Sequence, residues 1–204
     1  MFIGSIKENI NLEKRVAITP ETAKSIISLG LNISLEKDYA SHLGISDKQY
    51  EEKGVNFYNT SSEVINNSKL LLKVNCPTDE EIKSLKEKTI LVGIFNPTMN
   101  KNKLREILKK NINIFSLELL PRISRAQSMD VLSSQSNLAG YRAVIESIYE
   151  FEKAIPMMMT AAGTVPAAKV LVIGAGVAGL QAIATAKRLG AIVSATDVRA
   201  ASKE

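Results

Sequence analysis

The sequence holds one cysteine, Cys76, and one histidine, His42. A lone thiol excludes a disulfide framework and a thiolate metal cluster, which suits a reducing compartment and makes the cytoplasm the expected location. The opening MFIGSIKENI carries charges and no apolar run of signal-peptide length, so nothing in it argues for export. Internal repeats and low-complexity linkers are missing. An excess of one charge is nearly missing too, with 26 Lys and Arg against 21 Asp and Glu spread along the chain. The densest basic run, KNKLREILKK at 101–110, has helical spacing with Leu104, Ile107 and Leu108 on one side. That pattern reads as a solvated helix face rather than a nucleic-acid patch.

Long apolar runs are equally scarce. Residues 170–186, VLVIGAGVAGLQAIATA, carry no charge over 17 positions, the short limit for a membrane span. Their internal order argues otherwise. The first part is β-branched, the middle holds three glycines and the last part is alanine-rich, so the segment reads as strand, turn and helix.

What remains is ordinary globular material. With 204 residues, 45% hydrophobic and 23% charged, the chain can bury a core as one large domain or two small ones. Strands are predicted at 2–5, 32–36, 70–74, 90–95 and 112–119. Helices between them start at Thr19 before Pro20 and at the capping boxes Ser46 to Gln49 and Thr78 to Glu81, and Gly30 and Gly54 act as stops. Such alternation implies a mostly parallel α/β sheet. The expected organisation is an N-terminal α/β domain over 1–133, a linking helix over 134–155 with Leu138, Tyr141, Ile145, Ile148 and Phe151 on its apolar positions, and the start of a second domain over 156–204.

The second domain carries the most legible chemistry. Gly174, Gly176 and Gly179 form G-x-G-x-x-G after the strand KVLVI and before a helix. Gly174 permits the tight turn, Gly176 lets the backbone approach a pyrophosphate, and Gly179 allows close packing of helix on strand. The helix start, with Val177 and Ala178, offers unpaired N–H groups to that anion. A further strand, AIVSATD, ends in Asp197, 18 residues beyond the third glycine, where a carboxylate can accept bonds from the adenosine ribose hydroxyls. It would repel a 2′-phosphate, which favours NAD over NADP, although Arg199 two residues later works against that discrimination.

A polar stretch, RISRAQSMDVLSSQ at 122–135, has no glycine or proline to mark a simple turn and no broad apolar stripe. Read from its residues alone it is a capped polar segment preceding the long helix. Its flanks carry a resemblance. From PRISRAQSMDVLSSQSNLAGYRAV through PMMMTAAGTVPAAKVLVIGAGVAGLQAIATAKRLGAIVSATDVRAA, the chain resembles the NAD(H)-binding domain of the proton-translocating NAD(P) transhydrogenases. IKENINLEKRVAITPE and LLLKVNCP are similar to the wider family shared with alanine dehydrogenase.

The resemblance implies two Rossmann-like parallel-sheet domains joined by a long helix. Because seven residues follow Asp197, the second domain is expected to be truncated after two strands. It also implies that the polar stretch reaches over the nicotinamide, with Arg122, Gln127, Asp130 and Ser133 around the ring and its ribose. Asp130 and Ser133 would fix the carboxamide, Arg122 the ribose or pyrophosphate side, and Gln127 would lie toward a second nucleotide. Gly174, Gly176, Val177, Ala178, Gly179, Asp197, Val198 and Arg199 would hold the rest of NAD(H). The implied activity is hydride transfer between NAD(H) and NADP(H), with NADP(H) on a partner component, coupled to proton translocation by membrane-spanning subunits. A homodimer at the cytoplasmic side of the inner membrane, with no membrane span of its own and no nucleic-acid partner, completes the expectation.

Two other readings compete. Alanine dehydrogenase-like enzymes combine a substrate-binding Arg and Lys, here the contexts of Arg15 and Lys73, with a catalytic histidine. That histidine belongs after the fourth strand, where this chain reads GIFNPTMN, and His42 lies far from it. The third reading is a cofactor-binding module without activity of its own.

Overall fold

The computed structural model describes residues 2–200. The chain divides into two compact units, one running to Met129 and the other starting at Asp130.

In the first unit, β1 (Phe2–Ser5), α1 (Pro20–Ser28), β2 (Asn32–Glu36), α2 (Asp47–Glu51), β3 (Asn56–Tyr58), α3 (Ser61–Asn67), β4 (Leu70–Leu72), α4 (Asp79–Ser84), β5 (Ile90–Gly93), α5 (Lys101–Lys109) and β6 (Asn113–Ser116) follow one another. The strands form one parallel sheet in the order β3-β2-β1-β4-β5-β6. Both faces are buried around β1 and β2, as a parallel sheet requires, whereas on β5 and β6 Ile90 and Val92 are half-buried and Phe115 is exposed. Ile33, Leu35, Tyr39 and Tyr50 form one core with α1 and α2, and Leu71, Leu91, Val64, Ile82 and Ile107 form the other with α3, α4 and α5. The period of two divides β4 between them, Leu71 to one core and Leu70 and Leu72 toward the other.

The sequence signals for helix starts reappear as geometry. Thr19, Ser46 and Thr78 each cap with the residue three positions on, and a fourth box, Thr60 with Glu63, opens α3. Gly30 and Gly54 take the left-handed backbone that ends a helix. Three predicted strands are shorter than expected. Residues 73–74 and 94–95 lie beyond β4 and β5, and 117–119 turn into a short 3-10 helix, Leu117–Leu119. The short strand β3 was not predicted, because three residues carry too little alternation to read.

In the second unit, α6 (Val131–Phe151) is followed by the antiparallel pair β7 (Met158–Thr160) and β8 (Gly163–Val165), then β9 (Lys169–Ile173), α7 (Val177–Arg188) and β10 (Ile192–Thr196). β9 and β10 pair in parallel around α7, a β-α-β unit. The uncharged 170–186 run therefore divides into strand, glycine turn and helix, and among the described residues no helix is long and apolar enough to cross a membrane.

Candidate functional site

The glycine turn between β9 and α7 is the centre of the site. Gly174 has φ 97°, a left-handed conformation that a side chain disfavours. A Cβ on Gly179 would collide with the Gly174 carbonyl oxygen, so the close approach of α7 to the turn requires glycine there. Gly140 of α6 is constrained likewise, since a side chain on it would meet the Ala178 carbonyl. Asn137 Nδ2 donates to Gln181 Oε1 at 3.2 Å along the same helix pair. Helix α6 thus backs α7 and sets where the turn sits.

At Gly176 the demand is different. A Cβ there would have only Arg199 Nη2 near it, at 3.8 Å. The backbone is bare on that side. No side chain caps α7, which leaves the N–H groups of Val177, Ala178 and Gly179 for an outside acceptor, the Leu180 N–H already donating to the Gly176 carbonyl. A bare glycine cradle at an uncapped helix start fits a dinucleotide pyrophosphate.

Asp197 follows β10 and is fixed to this turn. Its Oδ2 accepts from Ala175 N at 2.6 Å and from Arg199 Nη2 at 2.9 Å, and its Oδ1 accepts from Arg199 N at 2.8 Å and Arg199 Nε at 2.9 Å. These donors, Arg199 first, hold the carboxyl well below the usual carboxylate range. The Asp197 side chain is only 8% exposed, and that of Arg199 is 60% exposed. Val198, between them, is fully exposed.

The polar segment is a 3-10 helix, Ser124–Met129, that runs into the start of α6. Arg122 and Gln127 are exposed and lie in the first unit, whereas Asp130 and Ser133 belong to the second, with the glycine turn. Asp130 is the N-cap of α6. Its Oδ1 accepts from Ser133 N at 2.9 Å and its Oδ2 from Ser133 Oγ at 2.6 Å.

A charged cluster in the first unit was only partly visible in the sequence. The strand order reverses between β1 and β4, and in open α/β sheets the carboxyl ends of the strands at such a point are where ligands bind. There Lys73, whose side chain is 2% exposed, places Nζ 2.9 Å from both Glu81 oxygens and 3.6 Å from Glu8 Oε2. Glu8 also accepts from Val74 N at 2.7 Å, and burial pushes its carboxyl up against the pull of Lys73. Glu81 was legible as the capping partner of Thr78, a bond it also makes, but its ion pair was not. Arg15 pairs its guanidinium with Glu13, 2.6 Å from Nη2 to Oε2. His42 is exposed in a short 3-10 helix, Ser41–Leu43, with Nε2 2.8 Å from the Lys14 carbonyl.

Comparison with known proteins decides the family. Residues 4–139 match the model of the alanine dehydrogenase/PNT N-terminal domain, and residues 143–204 that of the alanine dehydrogenase/PNT C-terminal domain. The chain belongs to the alanine dehydrogenase/PNT family. It is 48% identical over 208 residues to the first part of NAD(P) transhydrogenase subunit alpha from Rickettsia prowazekii, covering 100% of this chain and 54% of the relative. The same-named protein of Rhodospirillum rubrum is 48% identical over 209 residues, with 100% and 54% covered. The chain thus spans about half the length of these relatives. The structure of a transhydrogenase from Sinorhizobium meliloti superposes with TM-score 0.94 at 47% identity, over 100% of this chain and 58% of the other. An L-alanine dehydrogenase shares the fold, with TM-score 0.83 at 22% identity, over 99% and 56%.

Proposed function

We propose that this chain is the NAD(H)-binding component of a proton-translocating NAD(P) transhydrogenase. The observation that carries the reading is the glycine turn with Asp197 tied to it through Ala175 N, together with likeness to proteins named for that role. NAD(H), when bound, supplies the hydride carrier. The residues of this chain bind and orient: Gly174, Gly176, Val177, Ala178 and Gly179 receive the pyrophosphate, and Asp197, flanked by Val198 and Arg199, takes the adenosine ribose. Arg122, Gln127, Asp130 and Ser133 hold the nicotinamide end. Hydride passes from one nicotinamide to another, so no side chain has to abstract a proton, and the protein contributes orientation and approach distance.

NADP(H) is held by a partner component, membrane-spanning subunits carry the protons, and the chain acts as a homodimer on the cytoplasmic side of the membrane. Calorimetric titration with NADH tests the core of the proposal. Failure to bind NADH would remove it.

The alanine dehydrogenase reading is disfavoured by two observations. Lys73 is already held by Glu81 and Glu8, so its ammonium faces two internal carboxylates instead of a substrate. Asn96, in the stretch where the family's histidine belongs, donates its backbone N–H to Glu118 and offers no acid or base. Alanine-dependent reduction of NAD by this chain would reverse that judgement.

A further inference from the structure

The guanidinium of Arg199 presents two N–H donors, Nε and Nη2, to the two oxygens of Asp197. A ribose diol presents two O–H donors to a carboxylate in the same way. Arg199 therefore stands in for the adenosine ribose at the residue proposed to hold it, and its Nη2 is the nearest atom to the bare side of Gly176, where a pyrophosphate would lie. A nucleotide that takes the carboxylate displaces a cation, and a displaced cation beside Gly176 needs an anion. The exposure of the Arg199 side chain leaves it room to move.

We propose that Arg199 is a specificity-determining latch that favours ligands bringing both a free ribose diol and a diphosphate over ligands bringing the diol alone. The diol replaces the guanidinium on Asp197, and the diphosphate receives it above Gly176. Adenosine has the diol but no anion, so it displaces Arg199 without compensation. ADP and NADH supply both. The exchange keeps Asp197 in register throughout, because Ala175 N and the Arg199 backbone N–H hold the carboxylate independently of the guanidinium.

The inference rests on the NAD(H)-binding reading, and calorimetry separates the two. The unmutated chain should bind NADH and ADP, with adenosine at least about tenfold weaker than ADP. In Arg199→Ala, ADP should weaken about tenfold while adenosine tightens, so that the ratio between them collapses. Arg199→Lys keeps the charge without the paired donors, so it should retain ADP affinity and still gain affinity for adenosine. NADH binding with an unchanged ADP to adenosine ratio in Arg199→Ala overturns the latch alone. An unmutated chain that binds no NADH overturns the cofactor reading and the latch with it.

Discussion

The α-carbon of Gly140 lies against the carbonyl of Ala178, so that any side chain at Gly140 would occupy the space of that oxygen. Ala178 is in the first turn of α7, beside the glycine motif. The floor of the proposed cofactor site is therefore set by a contact made from a different helix.

Gly140→Ala should accordingly destabilise the second unit. Overpacking against a rigid backbone atom costs about 1 to 3 kcal/mol, which exceeds the up to ~1 kcal/mol that alanine contributes in helix propensity. Urea denaturation should show a lower midpoint, and NADH affinity should fall with it as α7 shifts. An unchanged midpoint would mean that α6 gives way at no cost.

This contact marks the limit of what the sequence conveyed. The glycine motif was legible because each of its glycines answers a local demand, and Asp197 because it ends a strand at the expected spacing. Four helix starts carry capping boxes; those at Ser46 and Thr78 were read from hydroxyl and carboxamide or carboxylate spacing, and Thr19 was read as a helix start from the proline that follows it. Gly140 was invisible, since a lone glycine in a helical pattern has no local signature of what crosses it. The Lys73 cluster was only partly legible for a related reason: Glu8 is 65 positions from Lys73 and meets it only when β1 and β4 become neighbours. The hairpin of β7 and β8, all exposed, lacks the apolar alternation that announces a strand.

Lys73→Ala should be strongly destabilising. It would leave the Glu8 and Glu81 carboxylates facing each other in a site where the lysine was 2% exposed, and breaking a buried pair in this way costs about 3 to 5 kcal/mol. Glu8→Gln should cost far less, because burial already opposes the Glu8 charge and glutamine retains an acceptor for Val74 N. Chemical denaturation of the two variants side by side checks the order.

Tyr39 predicts an alkaline limit. Its hydroxyl accepts from Ala17 N at 3.0 Å and Ile18 N at 3.3 Å and lies 2.7 Å from Ser5 Oγ, which itself donates to the Leu72 carbonyl. Burial pushes this phenol from 10.0 up to about 12. A folded value raised above the unfolded one stabilises fully below pH 10.0 and is lost as pH rises toward about 12. Stability measured across that window should decline, and Tyr39→Phe should flatten the decline while lowering stability at neutral pH by about 1 to 3 kcal/mol through the two unpaired N–H groups.

Asp197 should set the choice between nucleotides. NADH should bind more tightly than NADPH, since a 2′-phosphate would approach a carboxylate held ionised far into the acid range. Asp197→Ala should narrow the gap, weakening NADH roughly tenfold through the lost ribose bonds. Equal affinities in the unmutated chain, measured by calorimetry, would show that the carboxylate does not discriminate.

The polar segment offers the sharpest separation between a structural and a chemical role, because Asp130 caps α6 whatever else it does. Asparagine caps a helix about as well as aspartate, so Asp130→Asn should leave the melting temperature nearly unchanged, whereas Asp130→Ala should lower stability by about 1 kcal/mol. Gln127 is exposed in the preceding 3-10 helix, outside the cap, and Gln127→Asn should not affect folding. If these two side chains orient a nicotinamide, Gln127→Asn and Asp130→Asn should slow hydride transfer to an NADP-binding transhydrogenase partner far more than they weaken NADH binding. Reacting carbons must approach within about 3 to 3.5 Å, and a displacement of about 1 Å can cost roughly a hundredfold in rate while most dinucleotide contacts survive. Stopped-flow transfer rates and melting curves on the same variants decide the matter. Normal rates in both asparagine variants, with only Asp130→Ala less stable, would reduce the segment to a helix cap.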